Sequence, residues 1–238
     1  MNATIIRLAL QALLGRRRFW LLLLMPLVMI ALAVVVRTLA GEGAGYEEIL
    51  VGLGLGLVLP LVALLTTSSA LGPEMDDGSI VYLLAKPVSR HAIAASKYAV
   101  ALLATLGFGV LPLLVAGFVL DASRGGATVA WFVGGVLAAA AYCGLFLAVS
   151  AVTKHAVVVG LLFLLVWEGL LGNLLSGVRW LSIGNWAGSL ADSLSDRAVI
   201  HTDGVGAAYA LVATAVVVLG GVWFAGDRLR SFSLRGDT

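Results

Sequence analysis

The stretch YAVALLATLGFGVLPLLVAGFVL, residues 98–120, contains no charged side chain. A bilayer core is about 30 Å thick, so about 20 apolar residues in a helix can cross it. Backbone groups in a bilayer must pair within helices or closed barrels, and barrel strands would show short alternating patterns. The sequence therefore predicts an all-α, polytopic membrane protein that forms a single transmembrane domain over residues 1–238. Six apolar runs fit this description: 19–36, 49–71, 98–120, 130–152, 156–175 and 207–226.

The composition excludes an ordinary soluble domain. Apolar residues make up 61% of the chain, charged residues only 12%, and the mean hydropathy is +1.06. Soluble domains are typically about 45–50% apolar and about 25% charged. The one cysteine, Cys143, lies inside the fourth run and cannot form an internal disulfide.

The basic residues predict the orientation. Six spans place both termini on one side, and that side would carry eleven of the fifteen Lys and Arg residues. Because basic residues accumulate on the cytoplasmic side, we expect a cell-membrane protein with both termini in the cytoplasm. The first run is longer than the core of about 7–15 residues found in signal peptides, so we expect it to be retained. Before it, residues 2–18 show one apolar face and several arginines, which predicts an interfacial amphipathic helix.

Two regions carry candidate chemistry of their own. Glu168 lies within the fifth run, where a charge is costly and usually faces a bundle interior or cavity. It is either part of a substrate path or a hydrogen-bonded tie between helices. The outer loop 176–206 contains His201 and Asp203, but no spacing there marks a nucleophile or metal site. The pattern G-x-x-x-x-G-K-[ST] does not occur, so ATP-driven work would need a partner.

The segment GPEMDDGSIVYLLAKPVSRHAIAASK, residues 72–97, interrupts the apolar pattern with six charged side chains. The Asp-Asp-Gly cluster at 76–78 predicts a helix end and a turn. A short apolar edge follows, Lys86-Pro87 ends it, and Ser89 is placed to cap the next helix. This order of helix end, short amphipathic helix, break and helix start is typical of a docking element.

The same segment resembles the stretch between the second and third spans of ABC type 2 permeases, the membrane subunits of ATP-binding-cassette exporters. The residues that carry the resemblance are Glu74, Gly78, Ser79, Leu83, Leu84, Pro87, Ser89, Arg90 and Lys97, with Val88 and Ile93 between them. The six-span plan, the interfacial helix and the long last outer loop extend it over most of the chain. In that family, the segment is the coupling element that seats in a groove of a separate ATPase subunit.

The resemblance implies a permease subunit of an ABC exporter that has no ATPase site and no cofactor of its own. Its implied partners are an ABC ATPase subunit, a second permease copy or a related permease, and the lipid bilayer, with no nucleic acid. Two other functions stay open from the sequence. One is a membrane-embedded enzyme that uses Glu168 or the outer-loop His201 and Asp203, and the other is an ATPase-linked scaffold for maturation or assembly.

Overall fold

A computed structural model describes residues 16–76, 89–153, 155–171, 177–195 and 205–231. Within these ranges every regular element is helical and no strand occurs. The longer helices are α1 (Arg16–Ala40), α2 (Glu48–Val58 continued by Leu59–Asp76), α3 (Arg90–Thr105, Leu106–Val110 and Leu111–Leu120), α4 (Gly125–Val152), α5 (Ala156–Phe163 and Leu164–Leu171), α6 (Ile183–Leu194) and α7 (Ala207–Ser231). Short 3₁₀ turns, Ala122–Arg124 and Val178–Leu181, precede α4 and α6.

Among the described residues, five helices are long and apolar enough to cross a membrane. They are Trp20–Ala40, Glu48–Ala70, Arg90–Leu120, Ala122–Val152 and Ala207–Arg228. The predicted helical architecture is thereby confirmed within the described residues, with five candidate spans in place of six. The predicted fifth span, 156–175, appears as the shorter apolar helix Ala156–Leu171, and residues 172–176 lie outside the described ranges. Most of the predicted interfacial helix 2–18 also lies outside them, and residues 16–18 begin α1.

Widened π-helical turns precede two of the three prolines inside the spans. In α2 the π-helical segment Glu48–Val58 leads into Pro60, and in α3 the segment Leu106–Val110 leads into Pro112. A proline ring clashes with the carbonyl one turn earlier and removes a backbone donor. A π-helical turn before the proline moves that carbonyl away from the ring, so neither the clash nor the missing donor breaks the helix. Both helices therefore continue past their prolines.

Helix α4 lies at the centre of the bundle. It carries three of the largest fully buried side chains, Trp131, Tyr142 and Phe146, and packs most extensively against α7, α6 and α2. Small residues allow these close contacts: a Cβ on Gly134 would lie 2.5 Å from the carbonyl oxygen of Ala187 on α6. Without a hydrophobic driving force between helices in lipid, such close backbone approach is a main source of packing energy.

A chain of buried polar side chains crosses the bundle. The hydroxyls of Thr66 on α2 and Thr105 on α3 are 2.9 Å apart, and Thr105 Oγ1 lies 3.3 Å from the thiol of Cys143 on α4. Each threonine hydroxyl also lies within hydrogen-bond distance of a carbonyl of its own helix, Ala63 for Thr66 and Ala101 for Thr105, so its single proton can be donated to the carbonyl or across the bundle. The hydroxyls of Thr66 and Thr105 thus find partners, as buried polar groups usually do, and with Cys143 they connect three helices at one level.

The turn between α1 and α2 rests on the turn between α3 and α4, at the end of the bundle opposite Lys97. Gly43, at a φ of +76°, donates its amide to the carbonyl of Leu120 at 3.1 Å. A side chain there would meet Asp121, so glycine suits both the left-handed backbone and the close approach. Tyr46 and Thr128 join the two turns through hydroxyls 2.7 Å apart.

Candidate functional site

The two helices that flank the charged segment 72–97 end within the described residues. Glu74 lies in the last turn of α2, which reaches Asp76, and α3 begins at Arg90. Six residues of the resemblance lie outside the described ranges: Gly78, Ser79, Leu83, Leu84, Pro87 and Val88. The structure therefore shows how this segment is anchored to the bundle at both ends.

Ser89 occupies the capping position that the sequence predicts for it. Its backbone is extended, with φ −62° and ψ 136°, and its carbonyl accepts from the amides of Ala92 at 2.9 Å and Ile93 at 3.2 Å. The hydroxyl makes no capping hydrogen bond. Ser89 therefore fixes where α3 starts through its backbone, and the exposed Ser89 and half-buried Arg90 stand at the surface of the bundle.

Lys97 is buried, with only 2% of its surface exposed. Its Nζ donates a hydrogen bond to the backbone carbonyl of Ala70 on α2. A buried ammonium group must find such partners, because leaving it unpaired away from water is strongly unfavourable. Lys97 thus joins α2 and α3 just inside the point where both helices lead into the charged segment.

A further contact at this end of the bundle gave no signal in the sequence. His91 packs on α7, where a Cβ on Gly226 would lie 2.1 Å from His91 Nδ1. Below it, Ile93 and Ala94 pack in a small cluster that includes Ala225 of α7 and Leu147 of α4. The start of α3 is therefore held by α7 and α4 as well as by α2.

Glu168 on α5 holds the start of α6. Its Oε2 accepts from the Ser182 hydroxyl at 2.7 Å, and its Oε1 accepts from the amide of Ile183 at 2.8 Å. Ser182 is the N-cap of α6, and its Oγ also accepts from the amide of Asn185 at 3.2 Å. A carboxylate is stabilised at a helix N-terminus by the unpaired amides and the helix dipole. The hydrogen-bonded tie between helices is therefore present, and Glu168 lines a cavity as well.

That cavity has a volume of about 640 Å³ and lies between α2, α5 and α6, with α4 at its back. Its walls are mainly apolar, and its polar groups gather at one side. The polar lining consists of Glu168, Ser182, Asn185 and Tyr142. Sequence reasoning found Glu168 but not the other three, because only the fold brings α4 and the outer loop beside α5.

The comparison with known families covers both the charged segment 72–97 and the region of Glu168. The family model of the ABC-2 family transporter proteins matches residues 14–182, which include the charged segment, Lys97 and Glu168. The match extends over more than half of the chain. This chain belongs to the ABC-2 transporter family. Among curated proteins, none matches it.

Membership in the ABC-2 family confirms the resemblance and favours the permease reading over the enzyme reading. Such permeases are generally membrane subunits without catalytic activity, and they imply an ABC ATPase partner and a lipid environment. His201 and Asp203 lie outside the described ranges of this ABC-2 protein. Within those ranges, no group of three or more His, Cys, Asp or Glu side chains could hold a metal ion.

Proposed function

We propose that this ABC-2 family member is the permease subunit of an ABC exporter, and that it couples to a separate ATPase subunit through residues 72–97. The observation that carries the proposal is the buried hydrogen bond from Lys97 to Ala70. It joins the two helices that enter and leave the charged segment. A force applied to the segment therefore acts on both helices together.

The polar chain behind Lys97 gives this force a route into the bundle. Thr66 lies one turn from Ala70 on α2, and its hydroxyl meets Thr105 of α3, which in turn meets Cys143 of α4. Packed side chains and hydrogen-bond networks of this kind carry coupling between distant sites when the joined elements move as a unit. In the proposed cycle, ATP-driven closure of the ATPases displaces residues 72–97, and α2 and α3 shift against the rest of the bundle.

The mixed charges of the segment suit a partner surface. In the proposal, Glu74 and Arg90 face the rim of the ATPase groove, where charges chiefly set register and partner choice. The segment and both termini are cytoplasmic in this arrangement, as the distribution of basic residues predicts. A second permease copy or a related permease completes the transporter.

The test is a pull-down of the tagged full-length protein from its native membranes in mild detergent. We expect a P-loop ATPase to co-purify with the wild type and to be lost with the double change Glu74→Lys, Arg90→Glu. The matched control, Glu47→Lys with Arg179→Glu, makes the same two charge changes at the other end of the bundle and should retain the ATPase. The absence of an ATPase from the wild-type sample would overturn the proposal.

Inside-out vesicles test the export direction. ATP should drive accumulation of a hydrophobic probe such as rhodamine 6G in vesicles that contain the wild-type complex, and the double change should abolish it. Co-purification of the ATPase without any accumulation of probe would favour the scaffold function instead.

A further inference from the structure

We propose that the cavity between α2, α5 and α6 binds a hydrophobic monocation that enters sideways from the bilayer. This inference deepens the proposed permease function and rests on it, because it names the class of substrate and the place where that substrate is held. Four properties of the cavity carry it: size, lining, charge and access.

The size and lining of the cavity suit a drug-sized amphiphile. Its volume of about 640 Å³ lies within the range of about 300–1,000 Å³ that is usual for small-molecule sites. Leucines of α2 and α5, among them Leu55, Leu161 and Leu164, are the most frequent residues in the wall. An apolar wall with a few polar groups at one side fits a molecule that is mainly hydrophobic and carries one polar or charged centre.

The charge of the cavity selects a cation. Glu168 is the one charged side chain among the described residues that line it, and neither Lys nor Arg is among them. Its two carboxyl oxygens accept from the Ser182 hydroxyl and from the Ile183 amide at the N-terminus of α6. Hydrogen bonds donated to a carboxyl group, and the N-terminal end of a helix dipole, both favour its negatively charged form.

Two aromatic side chains at the back of the cavity add to this preference. Trp131 and Tyr142 of α4 line it and are almost fully buried. Aromatic faces attract cations through their quadrupole, and the attraction grows when water is excluded. An anion would meet the carboxylate of Glu168 with the opposite sign of interaction.

The cavity has a side entrance along α2. Gly52 and Gly56 line it, and a Cβ built on Gly52 would meet no atom within 4 Å. Leu57 and Leu165, which also line the cavity, are 48% and 68% exposed on the apolar surface of the bundle. A hydrophobic cation dissolved in the bilayer can therefore reach Glu168 between α2 and α5 without passing through water.

A pair of ions with nearly the same shape and opposite charge tests the proposal. The full-length protein is placed in phosphatidylcholine nanodiscs, and binding of radiolabelled tetraphenylphosphonium and tetraphenylborate is measured by equilibrium dialysis against empty nanodiscs. We expect saturable binding of the cation at about one per chain and no saturable binding of the anion. Equal binding of both ions would show an apolar site of the kind that holds a lipid chain, and would overturn the proposal.

Three variants locate the binding. Glu168→Gln keeps the shape of the side chain and should weaken cation binding by roughly tenfold, as the loss of one partly shielded charge contact implies. Gly52→Phe fills the entrance and should abolish binding. Gly107→Phe is the matched control, because a Cβ on Gly107 also meets no atom within 4 Å but that residue does not line the cavity.

Size-exclusion profiles show whether each variant is folded. If Glu168→Gln does not fold, the Gly52 and Gly107 variants decide the location, and the two ions decide the charge preference. Wild-type binding that survives Gly52→Phe, or binding no greater than that of empty nanodiscs, would overturn the proposal. Because this assay needs no ATPase, a failure here is distinguishable from a failure of the pull-down, which tests the permease function itself.

Discussion

Gly221 on α7 lies directly against Gly144 on α4: a Cβ on Gly221 would come within 2.3 Å of the Gly144 carbonyl oxygen. On the other side of the contact, a Cβ on Gly144 would lie 3.0 Å from the Cα of Val218. The two helix backbones therefore touch, and α4 and α7 form the most extensive helix pair in the described bundle. Close backbone contacts of this kind depend on residues without side chains.

Gly221→Ala should destabilise the bundle by about 1–3 kcal/mol, because the new methyl group forces two backbones apart. Gly220→Ala is the control at the neighbouring position, where a Cβ meets no atom within 4 Å. The control should be neutral or slightly stabilising, since alanine favours the helix over glycine. Thermal unfolding in detergent measures both, and equal melting temperatures for the two variants would contradict the contact.

Lys97→Met should weaken the connection between α2 and α3. Methionine keeps most of the length and apolar volume of the side chain but cannot donate to the Ala70 carbonyl, a loss of about 1.5–3 kcal/mol for a charged hydrogen bond. We expect a lower melting temperature and reduced ATP-driven transport, with the ATPase still bound. Ser96→Ala is the control, because the Ser96 hydroxyl donates only to Ala92 within α3. Normal transport by Lys97→Met would rule out a role for this hydrogen bond in coupling.

Ser182→Ala should loosen α6. The change removes the N-cap of the helix and one donor to Glu168, which costs about 1–2 kcal/mol for the cap alone. Hydrogen exchange in α6 should become faster than in the wild type. The control is Ser193→Ala, since Ser193 is exposed and its hydroxyl bonds only to the Leu190 carbonyl of the same helix. If hydrogen exchange in α6 is unchanged in Ser182→Ala, the contact of Glu168 with the Ile183 amide is enough to hold the start of the helix.

Asp121 should make stability depend on pH. Donation from the Ser123 hydroxyl, supported by the Ser123 amide and the Arg124 guanidinium, lowers the pKa of Asp121 below its ordinary value. The unfolded chain therefore binds a proton at Asp121 more readily than the folded chain does. The stabilisation of the folded state by the ionised Asp121 is fully present above the ordinary pKa of aspartate. It is lost as the pH falls through the lowered pKa of the folded state.

Melting temperatures measured across the acid range check this prediction. The melting temperature of Asp121→Asn should depend less on pH than that of the wild type. Ser123→Ala should have a smaller effect, because the Ser123 amide and the Arg124 guanidinium still contact Asp121. A wild-type profile identical to that of Asp121→Asn would contradict the role of this carboxylate.

The end of the bundle opposite Lys97 illustrates how far sequence reasoning reached. The glycines at 41, 43 and 45 mark a turn between two spans, but nothing local reveals that this turn rests on Asp121 and Leu120. Likewise, Pro60 and Pro112 stand inside apolar runs, but the sequence does not reveal that π-helical turns precede them.

The sequence by itself determined the membrane class, the helical architecture, most of the spans and the resemblance to the ABC-2 family, since these depend on the length of apolar runs and on the order of residues along the chain. It also marked Glu168 as a charge in an unusual place and Lys97 as a residue of the charged segment that carries the resemblance. Only the tertiary structure decided what these charges do. Glu168 meets the start of α6, and Lys97 meets a backbone carbonyl of α2, because a charge removed from water must find its partners across the bundle. Those partners are distant in sequence, and only folding brings them within reach.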